Sequence, residues 1–442
     1  MSDVLRNWRL PQIAAGLLLA VCAAGGCRTA SNEPEVPDYE TDSLKPFPVL
    51  KPVPEYLSKE NRGFDSAPSV TITRGGRLWV AWHAGGKTED DDNAILVATS
   101  GDGGQSWTDP LFALDRPGPL RGLDPGLWTA PDGRVWLFYA QLYSMWDGRG
   151  GVWAMQALDP ERADTAWTPQ RRLCDGFMKN KPIVAADGRW LLPVEFMNMD
   201  PMKGGMDGLK PMTGPEAHPM PEFKASNLFV SEDCGKTVRF LGRSRIPVAH
   251  RDCTENMVVE RRDGSLWMLT RTKYGIGEAE SRDGGRTWTE TRPYFVLNAN
   301  SRFFVGRLRS GALLLVKNGP VDALRDRARG RVELMAYVSD DDGKSWTGGL
   351  MLDPRDNVSY PDAVEGADGL IHVVNDHERT KAREIMHHVF TEADVRAGRL
   401  VNPAARLGDV ITSAPNPKHV GFLPMVSEVV VAGNGASKSR LY

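Results

Sequence analysis

Hydrophobic and polar residues alternate along most of the chain in short runs, which is the two-residue period of β-strands with one buried face. The runs come in pairs around a turn that contains glycine, as in GGRLWVAW from Gly75 and DGRVWLFY from Asp132. Asp-Gly and Gly-Gly between such runs are typical of hairpins, because both residue types tolerate positive φ. The pattern predicts many short antiparallel strands and few helices.

The hairpin recurs along the chain, with a third strand after each pair. Its six copies start at Gly75, Asp132, Asp187, Asp263, Ser310 and Asp368. A second repeat, S-x-D-x-G-x-[ST]-W, occupies residues 100–107, 281–288 and 339–346, and a degenerate copy without the Trp occupies residues 231–238. We call these four segments the boxes. In each box the Asp can cap its own turn, the Gly can take positive φ, and the Trp can pack between neighbouring units.

A unit of four strands that occurs six times predicts an all-β fold, a six-bladed β-propeller with four antiparallel strands per blade. The blades are expected near residues 64–118, 119–176, 177–250, 251–298, 299–355 and 356–412. The ring could close through the Pro-rich N-terminal segment, with a short strand at residues 47–50, or through residues 406–412. The propeller domain then spans residues 56–412, and the tail 413–442 lies outside the repeat.

The N-terminal segment 1–27 resembles a bacterial lipoprotein signal peptide. Two arginines precede an apolar run from Ile13 to Ala24, which is too short for a membrane span. The run leads to AAGGC, so Cys27 is the candidate for lipidation, and residues 28–55 form a Pro-rich tether. We expect export to the cell envelope, facing the periplasm or the cell surface, with the lipid as the sole membrane contact. Plain secretion is the alternative.

The charge balance and the spacing of Cys and His residues argue against several classes of function. Lys and Arg total 54 and Asp and Glu total 57, for a net charge of −3, which argues against a nucleic-acid partner or a polybasic membrane surface. The cysteines after Cys27 are Cys174, Cys234 and Cys253, whose spacing gives neither a disulfide framework nor a metal pattern, although one pairing stays open. The eight His residues also lack ligand spacing. We therefore predict no metal and no other cofactor.

One face of the predicted ring carries polar chemistry. Opposite the Gly turns, the starts of the innermost strands and the ends of the second strands converge on the axis. The positions are Asp65, Asp124, Lys181, Glu255, Arg302 and Tyr360 at the starts, and His83, Gln141, Glu195, Arg271, Lys317 and Asp376 at the ends. So many ionisable groups are atypical of a core and favour a site for a sugar-like or anionic ligand. A solvated channel is the alternative.

The boxes and this ring resemble the sialidase (neuraminidase) superfamily over about residues 60–395. The stretch T-E-N-M-V-V-E-R-R-D-G-S-L-W-M-L-T-R matches a family pattern of a Glu followed by an Arg, here Glu255 and Arg271. The segment V-S-Y-P-D matches the family's tyrosine segment and offers Tyr360. The loop G-G-K-T-E-D-D-D-N offers Asp90 or Asp91 as the family's acid/base residue, with Glu89 as a further candidate.

The resemblance implies an exo-acting glycoside hydrolase that removes terminal sialic acid, or a related acidic sugar, with retention of configuration. Tyr360 would be the nucleophile and Glu255 its base. Arg271 and Arg331, with Arg302 as a rival, would bind the sugar carboxylate. The family's arginine on the first innermost strand has no counterpart, because F-D-S-A-P-S stands there.

Two alternatives stay open. A propeller glycosidase or lyase that acts on uronic-acid or deoxysugar glycans would suit substrate contacts from Asp65, His83, Asp124 and Lys181. A carbohydrate-binding propeller without turnover would use the same face. The Met- and Pro-rich insert 197–223 is expected to overhang that face as a lid or specificity loop.

Overall fold

The structure of the protein is a computed structural model. It describes residues 43–90, 92–116, 120–143, 150–196, 225–321 and 330–413. The predicted signal peptide with Cys27, most of the tether, Asp91, the insert 197–223 and the tail beyond Ser413 lie outside the described residues.

The described residues form six antiparallel sheets, which confirms the all-β six-bladed propeller. Blades 1 to 3 consist of β1 Val49–Leu50, β2 Asp65–Ile72, β3 Leu78–Ala84, β4 Ala94–Ser100 and β5 Phe112–Leu114, then β6 Leu120–Thr129, β7 Val135–Tyr143, β8 Val152–Gln156 and β9 Arg171–Cys174, then β10 Ile183–Val184, β11 Trp190–Glu195, β12 Ser226–Ser231 and β13 Arg239–Ser244. Blades 4 to 6 consist of β14 Asn256–Glu260, β15 Leu266–Thr272, β16 Gly275–Ser281 and β17 Arg292–Pro293, then β18 Phe304–Arg307, β19 Leu313–Asn318, β20 Val332–Ser339 and β21 Thr347–Asp356, then β22 Val358–Glu365, β23 Ile371–His377, β24 Glu384–Phe390 and β25 Arg406–Thr412.

Helical structure within the described ranges is confined to short pieces. Single 3₁₀ turns cover Glu55–Leu57 and Val248–His250. The α-helix α1, Glu392–Ala397, links β24 to β25 and starts at a capping box between Thr391 and Asp394. No helix in the described ranges is long and apolar enough to cross a membrane.

The boxes are structural, as their pattern predicted. Asp283 accepts the Thr287 backbone N–H at 2.9 Å and the Thr287 hydroxyl at 2.6 Å. The other three boxes repeat this turn, including the degenerate one. In the box at residues 339–346 the Trp bonds to the preceding blade: Trp346 Nε1 donates to the hydroxyl of Tyr294 at 2.7 Å. The boxes therefore close turns and join blades.

Apolar side chains pack between adjacent blades. One cluster joins Trp79 and Ile95 of blade 1 to Leu137 and Trp153 of blade 2, and equivalent clusters lie between the later blades. The polar ends of the inner strands lie near the axis on one face of the propeller.

Both segments predicted as candidates for ring closure are used, each in its own blade. β1 pairs with β5 on the outside of blade 1, and β25 is the outer strand of blade 6. Arg62 joins the two ends, because its guanidinium donates to Thr412 Oγ1 at 2.8 Å and to the Leu57 carbonyl at 3.1 Å. Its Nε also contacts the Asp65 carboxylate at 2.8 and 3.0 Å. This buried ion pair therefore fastens the ring.

We expect Arg62→Met to lower the free energy of unfolding by about 3–5 kcal/mol, because it leaves the buried Asp65 carboxylate without its cation. The midpoint of thermal unfolding, followed by circular dichroism, measures the loss. Arg162→Met is the control, since Arg162 pairs with Asp164 at the fully exposed surface and should unfold like the wild type. Equal midpoints for both variants would contradict a ring-fastening role for Arg62.

Candidate active site

The central tyrosine of the site sits on a strained bulge. In blades 1, 2 and 6 the innermost strand shifts register at a residue followed by proline, namely Ala67, Asp124 and Tyr360. These residues have φ values of +46°, +49° and +54°, a region that non-glycine residues seldom adopt. A bulge re-aims the side chain that it carries. The X-Pro step is the sequence signal that the three blades share.

Tyr360 meets Glu255 and Arg271 at the centre of the ring. The Tyr360 hydroxyl donates to Glu255 Oε1 at 2.9 Å. Arg271 Nη1 donates to both Glu255 oxygens, at 3.0 and 3.1 Å, and to the Tyr360 oxygen at 3.0 Å. All three side chains are buried. The structure thus brings together three predicted site residues from blades 4 and 6 within hydrogen-bond reach.

The electrostatics give the tyrosine and the glutamate different protonation states. Burial and the Glu255 charge raise the pKa of Tyr360 above its ordinary value, so the phenol is neutral at neutral pH. Burial alone would raise the pKa of Glu255 too, but Arg271 and Lys179 outweigh it and hold that pKa well below its usual range. A neutral phenol therefore faces an ionised carboxylate that can take its proton.

Besides Arg302, whose Cζ lies 5.4 Å from the centre of the Tyr360 side-chain ring, two further guanidinium groups lie against that ring. The Cζ of Arg331 lies 5.1 Å from the ring centre and that of Arg379 lies 4.3 Å from it. Both donate to Ser359 Oγ, at 3.3 and 3.0 Å. With Arg271, three arginines from three consecutive blades therefore surround the tyrosine.

Arg379 was not predicted as a site residue, and it lies beside the start of the first innermost strand. It follows β23 on the loop of blade 6, and its carbonyl accepts the backbone N–H of Asp65 at 3.1 Å. Its Nε lies 3.2 Å from Asp376 Oδ2, which also accepts the Ser66 hydroxyl at 2.7 Å. The guanidinium thus stands beside the start of the first innermost strand, where F-D-S-A-P-S lacks an arginine.

A buried cluster of one lysine and three carboxylates adjoins the Tyr360 hydroxyl. Lys179 was not predicted, whereas Asp124, Glu195 and Glu255 were predicted to line the axis. Lys179 Nζ lies 3.1 Å from Glu255 Oε1, 3.0 Å from Asp124 Oδ2 and 4.0 Å from Glu195 Oε1. Burial, together with Glu255 and Asp124, raises the pKa of Glu195 to about 8, although Lys179 opposes that shift. The cluster connects blades 2, 3 and 4.

The predicted His83 and Asp124 lie together beside this cluster. The Asp124 backbone N–H donates to His83 Nδ1 at 3.4 Å, and the ring of Phe64 stacks on the imidazole. Burial lowers the pKa of His83 to about 4, so the imidazole is neutral at neutral pH. Since Nδ1 accepts, the proton lies on Nε2.

Two carboxylates of the acidic loop after β3 have different partners. Asp90 caps its own loop, because it accepts the backbone N–H groups of Lys87, Thr88 and Asp92 at 2.9, 3.1 and 3.1 Å. Glu89 turns inward, with Oε1 at 3.8 Å from the buried Arg121. Burial raises the pKa of Glu89, but the charges around it, that of Arg121 first, hold it below its ordinary value. Asp91 lies outside the described residues.

Three residues predicted to contact substrate are engaged elsewhere. Asp65 pairs with Arg62, as described above. Lys181 Nζ binds Asp362 Oδ2 at 2.5 Å and lines a cavity of about 320 Å³, whose lining contains neither Tyr360 nor Glu255. Arg302 donates to four main-chain carbonyls, those of Lys179, Pro68, Tyr360 and Pro361. These contacts give the three side chains structural roles: Asp65 in ring closure, Lys181 in an ion pair with Asp362, and Arg302 in holding the main chain around Tyr360.

Among the described residues no group of three or more His, Cys, Asp or Glu side chains could hold a metal ion. Cys174, Cys234 and Cys253 are free thiols. The described part of the site contains a phenol, carboxylates, guanidinium groups, the Lys179 ammonium and the His83 imidazole.

A six-bladed propeller that surrounds a tyrosine–glutamate pair with arginines is sialidase-like. The family model described as BNR repeat-like domain matches residues 76–373, more than half of the chain, and the protein belongs to that family. No curated protein matches the sequence significantly.

Solved structures share the fold at low identity. A Hadza microbial sialidase is 17% identical with a TM-score of 0.56, over 76% of this chain and 67% of that chain. The intramolecular trans-sialidase of Ruminococcus gnavus, in complex with oseltamivir carboxylate, is 14% identical with a TM-score of 0.53, over 78% of this chain and 96% of that one. A protein of unknown function from Dyadobacter fermentans is 16% identical with a TM-score of 0.53, over 76% and 95% of the two chains.

Proposed function

We propose that the protein is an exo-acting glycoside hydrolase of sialidase type, which releases a terminal sialic acid or a related acidic sugar with retention of configuration. The observation that carries the proposal is the Tyr360 hydroxyl, 2.9 Å from Glu255 and surrounded by Arg271, Arg331 and Arg379. We place this activity in the cell envelope, with the chain anchored through Cys27, on the strength of its N-terminal sequence.

A phenol suits the nucleophile's role in such a reaction. The anomeric carbon of a sialoside carries a carboxylate, which would repel a carboxylate nucleophile but not a neutral phenol. A phenol with a raised pKa needs a base, and Glu255 accepts its proton as the oxygen attacks the anomeric carbon. The intermediate is an aryl glycoside, in which the Tyr360 oxygen is bonded to the anomeric carbon. Water then attacks that carbon from the face that the leaving group vacated and displaces the Tyr360 oxygen, which gives retention of configuration.

The three arginines supply the carboxylate site. Guanidinium groups bind carboxylates through paired, charge-assisted hydrogen bonds. Arg271, Arg331 and Arg379 come from blades 4, 5 and 6, so they bracket one side of Tyr360. A sugar carboxylate bound there holds the anomeric carbon over the phenol.

We assign the acid/base role to Glu89, in preference to Asp90, whose carboxylate caps its loop. In the free enzyme the charges around Glu89, Arg379 among them, hold its pKa low. A substrate carboxylate neutralises part of the charge of Arg379 and so raises the pKa of Glu89, which favours the protonated form needed to protonate the leaving oxygen. Protonation of Glu89 is thereby linked to substrate binding.

Hydrolysis of 4-methylumbelliferyl sialoside tests the proposed function. We expect fluorophore release, with the α-anomer as the first product seen by proton NMR. Release from uronosyl or rhamnosyl oligosaccharides and from no sialoside would reject the proposal in favour of a different propeller glycosidase or lyase. Binding on a glycan array without turnover of any glycan would reject catalysis altogether.

The acid role of Glu89 makes a separate prediction. Glu89→Gln should lower kcat/KM by about 10²-fold on a sialoside with a sugar leaving group. With the more acidic methylumbelliferone as leaving group, the loss should be under about tenfold, because that oxygen departs with little protonation. Asp90→Asn and Asp91→Asn are the matched comparisons. If one of them shows the leaving-group dependence and Glu89→Gln does not, the assignment moves to that residue.

A further inference from the structure

We propose that Lys179 is a positioning residue, which keeps Glu255 ionised and oriented while that carboxylate accepts the proton of Tyr360. The inference rests on the proposed function, since it names how the base of that site is controlled. It concerns a side chain that the sialidase resemblance does not assign.

Three groups donate hydrogen bonds to the Glu255 oxygen that receives the proton, and Lys179 is one of them. Glu255 Oε1 accepts from the Tyr360 hydroxyl at 2.9 Å, from Arg271 Nη1 at 3.0 Å and from Lys179 Nζ at 3.1 Å. Oε2 has Arg271 Nη1 at 3.1 Å. Lys179 therefore acts on the basic oxygen itself, and its ammonium lies 6.0 Å from the centre of the Tyr360 ring.

The lysine is itself held by the surrounding blades. Asp124, on its bulge in blade 2, contacts Nζ at 3.0 Å, and Glu195 of blade 3 lies 4.0 Å away. Asp124, Glu255, Tyr360 and other acidic neighbours more than offset burial and keep the pKa of Lys179 far above its ordinary value, so the ammonium stays charged. Asp124 thus fixes the position of a permanent cation against the base.

Arg271 alone does not perform this task through the whole reaction. As a carboxylate-binding residue it shares its guanidinium with the substrate, which weakens its hold on Glu255. Lys179 is buried beside the Tyr360–Glu255 pair and has no proposed contact with the substrate carboxylate. Lys179 and Arg302 are therefore the cations that still favour ionised Glu255 once a sugar carboxylate has bound, and of these Lys179 donates to the Glu255 oxygen.

The pH dependence follows from every charged or titratable group that faces Glu255. These groups are Arg271 on β15, Lys179 before β10, Glu195 at the end of β11, Asp124 on β6, Tyr360 on β22, Arg302 before β18 and Cys253 two residues upstream. An opposite charge at this distance lowers a carboxyl pKa by about one to three units. Without Lys179 the pKa of Glu255 rises. As the pH falls, the carboxylate therefore becomes protonated at a higher pH than in the wild type.

The decisive variant is Lys179→Met, assayed on 4-methylumbelliferyl sialoside across pH 2–9, because the wild-type Glu255 titrates well below its usual range. We expect kcat to fall, KM to stay within about twofold, and the acid limb of kcat/KM to move up by about one to three pH units. Lys179→Arg keeps a cation and should restore most of the limb. A lower kcat with an unmoved limb in Lys179→Met would overturn the proposal, because a purely structural loss does not shift the titration of Glu255.

Two further measurements keep the test decisive. If Lys179→Met fails to fold, the double variant Lys179→Met/Asp124→Asn removes one buried charge of each sign and should show the same shifted limb. Carboxyl ¹³C NMR of Glu255, assigned by its loss in Glu255→Gln, reads the pKa without turnover. If no sialoside is cleaved, the proposed function fails, and a Glu255 titration in Lys179→Met that matches the wild type then rejects the role of Lys179 separately.

Discussion

Tyr360→Phe should lower kcat by about 10³-fold or more, while the midpoint of thermal unfolding stays near that of the wild type. Phe removes the phenol oxygen, which is the proposed nucleophile, and keeps the ring against which Arg331 and Arg379 lie. Glu255 keeps Arg271 and Lys179 as partners, so no buried charge is left unpaired. Fluorophore release from the methylumbelliferyl sialoside gives kcat, and circular dichroism gives the midpoint.

Tyr56→Phe is the matched control for that experiment. The Tyr56 hydroxyl donates to Asp115 at 2.5 Å on the outer side of blade 1, and its ring is half-exposed. This variant removes the same atom from the same residue type away from the site, so kcat should stay within about twofold of the wild type. A Tyr360→Phe enzyme that retained a tenth of the wild-type kcat would show that another group attacks the sugar.

The fold was predictable because its determinants are local. A strand's buried face, a Gly turn and a box are each read within about ten residues, and the repeat then supplies the arrangement. The same logic placed Tyr360, Glu255 and Arg271 near the axis, since each lies at a position in its blade that the repeat defines. The structure brings these three side chains within 3.1 Å of one another.

The rest of the site depends on irregular backbone, which the repeat does not determine. Lys181 was predicted to face the site from the start of blade 3, yet Lys179 does so, because β10 begins only at Ile183 and strand alternation does not extend back to either lysine. Glu89 and Asp90 lie on one loop, and only the loop's own hydrogen bonds decide which of them turns inward.

Among the site residues that the sequence did not indicate, Arg379 has the largest expected effect on substrate binding. The first innermost strand carries Asp65 and Ser66 at the place where the sialidase resemblance implies an arginine. The guanidinium arrives from the neighbouring blade instead, on the loop whose backbone bonds to Asp65. Its three-residue spacing from Asp376, with which it pairs at 3.2 Å, was a visible clue. A missing arginine in one blade therefore does not mean a missing charge in the site.

Arg379→Met should consequently raise KM and lower kcat/KM for a sialoside by about 10²–10³-fold, because it removes one charge-assisted carboxylate contact from a desolvated site. Arg379→Lys should recover only part of the loss, since an ammonium cannot bind a carboxylate through two parallel hydrogen bonds. Lys381→Met is the control on the same loop, where Lys381 is exposed and pairs with Glu378 at 3.5 Å, and it should leave both constants unchanged. The contrast depends on the carboxylate, so a sialoside methyl ester should be cleaved slowly and almost equally by the wild type and by Arg379→Met. If Arg379→Met instead binds and cleaves the free acid like the wild type, two arginines suffice, and the guanidinium from blade 6 does not replace the one that blade 1 lacks.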